Sequence, residues 1–416
     1  MTHSSTPEVV VIGAGAAGIG AAMHLRARGV DVLVLEAKDR IGGRSHTLAG
    51  PGGGLDLGCG WLHSADQNPL TPLVEPMGFT LDRSDPAWTK PAIQINFPMN
   101  DQRAFAAAFE AFEDALQKAA EGPVDIPASD LFAGVDPKWI PLLNAFSGYY
   151  NGASFERISV KDYAAYEPTD ENWRVREGYG ALIAALGRDL KVRLSTPVGR
   201  IAHAGAAVMV SGPWGSVEAG AVIIAVSTGV LAGEVIAFDP PLPDKIAAAH
   251  ALPLGHVEKA FLSLAEPDYF PVETMVRGRI DAATGGYTLR PMGMPVIEGF
   301  FGGALAASLE MEAEGAFTDF AIEELVAVFG SDFRRKVGPI AQSGWRGDPF
   351  IRGAYSHARV GQAGARAVLA APVGERLFFA GEACSPHAFS TAHGAYGTGL
   401  EAAEAAMAAA LRRRRG

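Results

Sequence analysis

The stretch Glu8-Val-Val-Val-Ile12-Gly13-Ala-Gly15-Ala-Ala-Gly18 constrains the fold more than any other part of this chain. An unbroken apolar run rich in β-branched residues reads as a strand buried on both faces, the pattern of a parallel sheet. The glycine turn leads into a helical stretch, Ile19–Arg28, and a second apolar run, Val30–Leu35, ends in Glu36. Strand, glycine turn, helix and acid in that order and spacing build a dinucleotide site. Gly13 allows the tight turn, Gly15 lets a pyrophosphate approach the backbone, Gly18 lets helix and strand pack closely, and Glu36 reaches a ribose hydroxyl. Ala16 and Ala17 lie at the helix N-terminus, where free N–H groups and the dipole favour an anion. On this motif alone both FAD and NAD stay open.

A chain of 416 residues with 48% hydrophobic and 19% charged content has room for two or three domains and a large core. The net charge of -11 argues against nucleic acid as the main partner. Cys59 and Cys384 are too few and too far apart for a disulfide framework or a Cys-based metal site, and no metal-ligand cluster stands out. No apolar run has the roughly 18 residues of a membrane span, and the polar leader Met1–Pro7 carries no signal pattern, so the expectation is a cytoplasmic protein. The final Leu411-Arg-Arg-Arg-Arg-Gly416 follows an Ala-rich helix, whose negative C-terminal end suits cations. The residues leave monomer and homodimer equally open.

Lys38-Asp-Arg-Ile-Gly42-Gly43-Arg44 adds a second glycine turn with an arginine able to pair with phosphate. With the first motif it resembles the FAD-dependent amine oxidase superfamily. The resemblance implies an α/β fold: a Rossmann-like FAD-binding domain of glutathione-reductase type with an interleaved α+β substrate-binding domain. It assigns residues 1–80, 175–240 and 345–416 to the first, and 81–174 and 241–344 to the second. Arg376–Ala380 reads as a buried strand ending in Gly381-Glu382, the turn that lies against the ribityl chain and pyrophosphate in the superfamily. The helix running from Thr391 to Leu411 would aim its N-terminus, at Thr391 and Ala392, toward the flavin pyrimidine, where reduced flavin carries negative charge. Glu177–Leu186 resembles the helix that opens the returning half of this domain, Thr196–Ile201 with Val198 its strand near adenine, and Ala221–Thr228 its next buried strand. Phe105, Phe109, Phe112 and Leu116 fall at helical spacing and predict a helix that packs a core, and Phe317–Phe329 predicts another.

Further segments narrow the branch. Asp56-Leu-Gly-Cys-Gly60-Trp61-Leu-His63, followed by Asn68-Pro69, is similar to the polyamine oxidase version of this loop, as is Phe389-Ser-Thr391-Ala-His-Gly-Ala-Tyr396. The resemblance places Gly60 and Trp61 at the cofactor, leaves His63 either at the substrate amine or in the scaffold, and leaves His393 structural. Lys259 interrupts an apolar strand-like run, and burying its ammonium without a partner is expensive; at the matching position the family's lysine holds a water near flavin N5. Trp345-Arg-Gly-Asp-Pro-Phe-Ile-Arg-Gly-Ala354-Tyr355-Ser-His357 resembles the segment beside the flavin. It implies Trp345 near the cofactor and Tyr355 as one wall of an aromatic cage, where a π-face suits a developing positive charge, with Phe389 or Thr391 opposite. Monoamine oxidases attach flavin through a cysteine at the position of Ala354, so the FAD is expected to be non-covalent.

The implied reaction oxidises a small-molecule amine at its α-carbon, with hydrolysis of the imine and reduction of O2 to H2O2. A polyamine or another secondary or primary amine is the expected substrate. A monoamine oxidase is the nearest alternative. An L-amino-acid oxidase would need a cation for the substrate carboxylate, and the sequence identifies none. Lys259 and the Gly-Ala-Tyr segment argue against carotenoid-type desaturases and protoporphyrinogen oxidases, and the lack of a visible chromatin module argues against histone demethylases. A catalytically silent flavin-binding module is the non-enzyme alternative.

Overall fold

The computed structural model describes residues 6–93, 97–280 and 283–415, so most of the polar leader and the terminal Gly416 lie outside the described residues. Five strands form a parallel sheet in the spatial order Leu377–Phe379, Ala221–Ile224, Val9–Ile12, Val32–Leu35 and Val192–Arg193. Val9–Ile12 is the central strand, and all four residues are buried. Val9 and Val11 pack with the helix Ala16–Ala27 and the final helix Ala392–Arg415, whereas Val10 and Ile12 face a second cluster that includes Ala248, Ala249 and Leu252. Both faces of the sheet are covered, so the run has no polar alternation.

The first helix starts at Ala16, three residues ahead of the predicted Ile19, because the chain turns at Gly13 with φ +99° and Gly15 is already its extended N-cap. It crosses the final helix through small residues: a Cβ on Gly20 would stand 2.9 Å from the Tyr396 ring, and one on Gly399 would stand 2.1 Å from the Ala17 carbonyl oxygen. The predicted strand Thr196–Ile201 is shorter than expected, beginning only at Arg200. Ser195 and Thr196 instead donate their N–H groups to the Lys38 and Glu36 carbonyls, and Pro197, with no N–H, cannot extend a ladder. The helix Pro243–Ala251 packs into the core of the parallel sheet, so that core extends beyond the predicted exit at residue 240.

An antiparallel sheet orders Thr274–Arg277, Gly286–Leu289, Val296–Gly302, Val257–Leu264 and Val337–Gln342. One face is filled by the helix Ala316–Phe329, with Leu262, Ile297, Phe301, Phe317 and Leu325 in one cluster. The other face is different. Along the central strand Val296–Gly302, Glu298 and Phe300 are only partly buried while Ile297, Gly299 and Phe301 between and beside them are buried. The helix Ile140–Asn151 lies over this face, with Tyr149 5.8 Å from Phe300. The helix Met99–Ala120 buries Phe105, Phe112 and Leu116 as expected, but Phe109 is half-buried and faces Phe146 at 5.3 Å and Tyr150 at 6.4 Å. Strand Asn172–Val175 pairs with both Leu62–His63 and Leu81–Asp82 at the junction between the two sheets' territories.

Candidate active site

The three glycines of the first turn meet three different surroundings. A Cβ on Gly13 would lie 2.5 Å from the Ala225 carbonyl oxygen, and one on Gly18 would lie 1.8 Å from the Gly13 carbonyl oxygen. Both positions are closed by backbone that cannot move aside. A Cβ on Gly15 would meet nothing nearer than 4.0 Å, at Gly42 and Gly43, so the space above it is open. The two glycine turns lie together, with Gly42 N–H donating to the Ala14 carbonyl at 2.7 Å. Glu36 is buried and accepts from Ala14 N at 2.6 Å and Lys38 N at 2.9 Å. Burial pushes its carboxyl above the ordinary value while those two donors pull the other way. An open cradle over Gly15, a helix N-terminus and a buried carboxylate fit a dinucleotide. Val198 is buried beside the end of this strand.

Arg44 connects the motifs. Its Nη1 donates to Glu382 Oε1 at 3.0 Å and to the Ala354 carbonyl. Glu382 is buried rather than a surface turn acid, and its carboxylate also accepts from the Ser356 hydroxyl at 2.7 Å and Ser390 N at 3.0 Å. Burial alone would raise its carboxyl, but Arg44, Ser356 and Arg366 together hold it below the ordinary value. Thus the turn at Gly381, with φ +149°, is tied to the Gly43-Arg44 turn and to the 345–357 segment. Thr391 caps the final helix, accepting from Gly394 N at 2.9 Å and donating to the Ala388 carbonyl at 2.6 Å, and Ala392 is the helix's first residue. The Thr391 hydroxyl is therefore already engaged.

Lys259 projects onto the sheet face it shares with Glu298 and Phe300 and has a partner: Nζ lies 2.8 Å from Glu298 Oε1 on the neighbouring strand. Phe261 is directly opposite Glu298, so Lys259 and Glu298 are diagonal neighbours on one face. Gly60 makes room for the ammonium, because a Cβ there would lie 3.1 Å from Nζ. Glu298 in turn has Arg174 at 3.8 Å, Arg174 reaches Glu273 at 3.5 Å, and its guanidinium lies 3.9 Å over the Trp61 ring. His63 Nδ1 lies 2.6 Å from Asn172 Oδ1. Asn172 gives its Nδ2–H to the Asp170 carbonyl, so the oxygen faces His63 and the proton belongs on Nδ1. Burial, with a further push from Lys259, lowers the His63 pKa and leaves Nε2 an acceptor.

Tyr355 is half-buried, and its hydroxyl donates to the Tyr149 carbonyl. Burial pushes the phenol far up, keeping it neutral. Phe389 is buried with one ring face 3.8 Å from the Arg366 guanidinium and its edge toward Tyr166 at 5.5 Å. Trp345 is buried among Leu55, Leu57, Phe261 and Ile351 and donates Nε1–H to the Leu57 carbonyl at 3.2 Å. Its contacts in the chain itself are those of a packing residue.

Three groups of this architecture went unread in the sequence. Glu298 and Arg174 complete the charge chain around Lys259. Asp56 takes the N–H groups of Tyr179 at 2.9 Å and Gly180 at 3.1 Å, holding the Glu177–Leu186 segment to the Trp61 loop. Arg366 and Asp162, both buried, form a two-bond pair at 2.6 and 2.8 Å behind Phe389 and Ser356. Each pairs residues far apart in the chain, so no local motif marks them. Among the described residues no group of His, Cys, Asp and Glu is placed to hold a metal ion, and no helix is long and apolar enough to cross a membrane. Cys59 and Cys384 are both free.

The chain belongs to the flavin containing amine oxidoreductase family, which it matches over residues 16–136 and 133–407. Among curated relatives it is 31% identical to polyamine oxidase 3 of Oryza sativa subsp. japonica, covering 96% of this chain and 89% of that protein. It is 31% identical to polyamine oxidase 2 of Arabidopsis thaliana, covering 96% and 88%. Lysine-specific histone demethylase 1 homolog 2 of Arabidopsis thaliana is 27% identical over 95% of this chain but only 58% of its own length. The fold matches solved structures of cyclohexylamine oxidase from Brevibacterium oxydans (TM-score 0.79, 22% identity, 96% and 98% of the two chains) and of putrescine oxidase bound to putrescine (0.80, 19%, 97% and 99%). It is the mixed α/β fold of those amine oxidases.

Proposed function

We propose that this protein is an FAD-dependent amine oxidase that converts a polyamine or another secondary or primary amine to an imine, hydrolysed to an aldehyde and an amine, with O2 reduced to H2O2. The carrying observation is Lys259, a buried ammonium held by Glu298 beside Gly60 in a chain of the flavin amine oxidoreductase family. The parallel sheet is read as the FAD-binding domain of glutathione-reductase type, and the antiparallel sheet with its helices as the substrate-binding domain. Numbered along the chain, the parallel strands run 3-2-1-4-5, an order in which dinucleotides bind at the switch point beside strand 1. Gly15, Ala16, Ala17 and Arg44 are the proposed phosphate contacts, Glu36 the ribose contact, Val198 an adenine-side contact, and Gly43, Gly381, Glu382 and Ala392 contacts further along the cofactor. Ala354 has no nucleophile, which supports non-covalent FAD.

Bound FAD supplies an acceptor for the hydride equivalent leaving the carbon next to the amine nitrogen. The chain's own groups arrange the amine. Tyr355 is anchored through its hydroxyl to Tyr149, which fixes its ring, and a neutral π-face favours the positive charge that grows on nitrogen. His63, with its proton committed to Asn172, can accept an amine N–H at Nε2. Lys259 is held as a fixed cation that can orient a water by donating a hydrogen bond. Phe389, stacked on Arg366, is the better candidate than Thr391 for the opposite wall, since the Thr391 hydroxyl is spent on the helix cap.

The test is an anaerobic screen of the purified holoenzyme across polyamines, acetylated polyamines, monoamines and amino acids, following flavin absorbance near roughly 450 nm. Bleaching by at least one amine is expected. A yellow protein that no amine bleaches would leave only a flavin-binding module, and a colourless protein would remove the cofactor assignment.

A further inference from the structure

Arg277 ends the edge strand Thr274–Arg277, and the register across the antiparallel sheet pairs Arg277 with Gly286, Gly286 with Phe300, and Phe300 with Lys259. Directly opposed residues share a face, so Arg277 and Lys259 stand at two ends of one row on that face, about 14 Å apart at three strand spacings. Phe300 lies between them, and Tyr149 covers Gly286, whose missing side chain leaves space for that ring: a Cβ there would be 3.8 Å from the Tyr149 hydroxyl. Phe300 and Tyr149 are 5.8 Å apart, and Tyr149 and Phe146 are 6.0 Å apart. An apolar aromatic path thus connects the two cations, and Tyr150, 51% exposed, stands at its open side.

The guanidinium of Arg277 lies 4.3 Å over the Phe146 ring and has no hydrogen bond or ion pair with any described residue. Burial pulls its pKa down, opposed only by the Tyr149 and Tyr150 phenols. The other interior guanidiniums are matched: Arg174 faces Glu273 and Glu298, and Arg366 faces Asp162. Two acids of the same domain have partners of their own. Glu324, on the far side of the sheet, accepts from Tyr287, Thr284 and Gly285, and Glu113 accepts from Tyr163 at 2.7 Å. Arg277 is half-buried, and a guanidinium drawn partly out of water without an anion carries a desolvation cost that a carboxylate, which matches its planar fork, would offset.

We propose that Arg277 anchors the carboxylate of a substrate whose amine is presented at Lys259 and Tyr355: an amine carrying a carboxylate at the far end of an extended chain. The inference rests on the amine oxidase reading and narrows it, because a second ammonium at the Arg277 end would meet repulsion. Three chain-matched probes separate the cases in the holoenzyme: ε-aminocaproate, n-hexylamine and hexamethylenediamine. The expected order of kcat/KM is ε-aminocaproate first, and Arg277→Gln should lower the ratio of ε-aminocaproate to n-hexylamine by roughly tenfold or more. Arg277→Lys, which keeps the charge but not the fork, should recover part of that ratio. Independently of turnover, calorimetry should detect caproate binding to the wild-type holoenzyme and its loss in Arg277→Gln. A wild-type preference for hexamethylenediamine, a ratio indifferent to Arg277→Gln, or caproate binding indifferent to that change would each overturn the proposal while leaving amine oxidation intact. If no amine bleaches the flavin, the parent reading fails instead, and the caproate measurement still decides whether Arg277 is an anion site.

Discussion

Lys259 Nζ and Glu298 Oε1 stand 2.8 Å apart on adjacent antiparallel strands, both sheltered from bulk water. The pair resolves the difficulty of a lysine inside an apolar strand: the countercharge comes from a strand that follows it by more than thirty residues in the chain.

Replacing Lys259 by Met should slow flavin reduction or its reoxidation by O2, and Glu298→Gln should shift the same step by roughly tenfold, because a neutral amide holds the ammonium less firmly. Stopped-flow absorbance separates the two half-reactions. Unchanged rates in both variants would remove the catalytic assignment. Burial alone would raise the Glu298 carboxyl, but Lys259 and Arg174 hold it below the ordinary value, so its contribution to stability is present above about pH 4.5 and is lost as pH falls through the lower folded value. The acid limb of the wild-type Tm should accordingly be steeper than that of Glu298→Gln.

Gly15 and Gly18 should fail differently. Gly18→Ala puts a methyl 1.8 Å from a backbone oxygen and should prevent recovery of folded protein, whereas Gly15→Ala meets only open space in the chain itself. The second variant should fold with a near-normal circular dichroism spectrum and lose flavin. Full flavin occupancy in Gly15→Ala would contradict a pyrophosphate lying against that residue.

Glu258 is the buried neighbour of Lys259 on the opposite face, accepting from Trp345 N at 2.7 Å and bonded to Ser343 at 2.5 Å. Burial, resisted by those bonds, pushes its carboxyl up to about 8. A folded value raised above the unfolded one means the native state holds a proton that the unfolded chain releases, so stability declines as pH rises from about 4.5 to about 8. Glu258→Gln, which mimics the neutral acid, should flatten this decline and raise Tm by a few degrees near the upper end. Parallel Tm-against-pH curves for the two proteins would show that Glu258 does not carry the proton.

With alanine at 354, all flavin should leave the chain on acid or heat denaturation and appear in the filtrate. Flavin remaining on the precipitated chain would reveal an attachment elsewhere.

The sequence was most legible where the physics is local. The Gly13–Gly18 turn, the apolar strands and the helices Ala316–Phe329 and Ala392–Arg415 follow from residues within a few positions of one another. It was less legible at Thr196–Gly199, where the family resemblance suggested a strand but Pro197 and the pairing to Lys38 and Glu36 prevented one. Phe109 obeyed the helical period and packs against the same cluster as Phe105 and Phe112, yet stays half-buried with its ring toward Phe146 and Tyr150, because periodicity reports which side is covered and not how completely.

By itself the sequence determined the nucleotide-binding turn, carried by one short segment, while the α/β class and the family came from the resemblance of several such segments to known proteins, which the family match bears out. Only the tertiary structure decided which charges answer one another: Glu298 for Lys259, Asp162 for Arg366, and no described residue for Arg277. Strand register brought Lys259, Phe300 and Arg277 into one row, and register depends on packing between distant strands that no stretch of sequence contains.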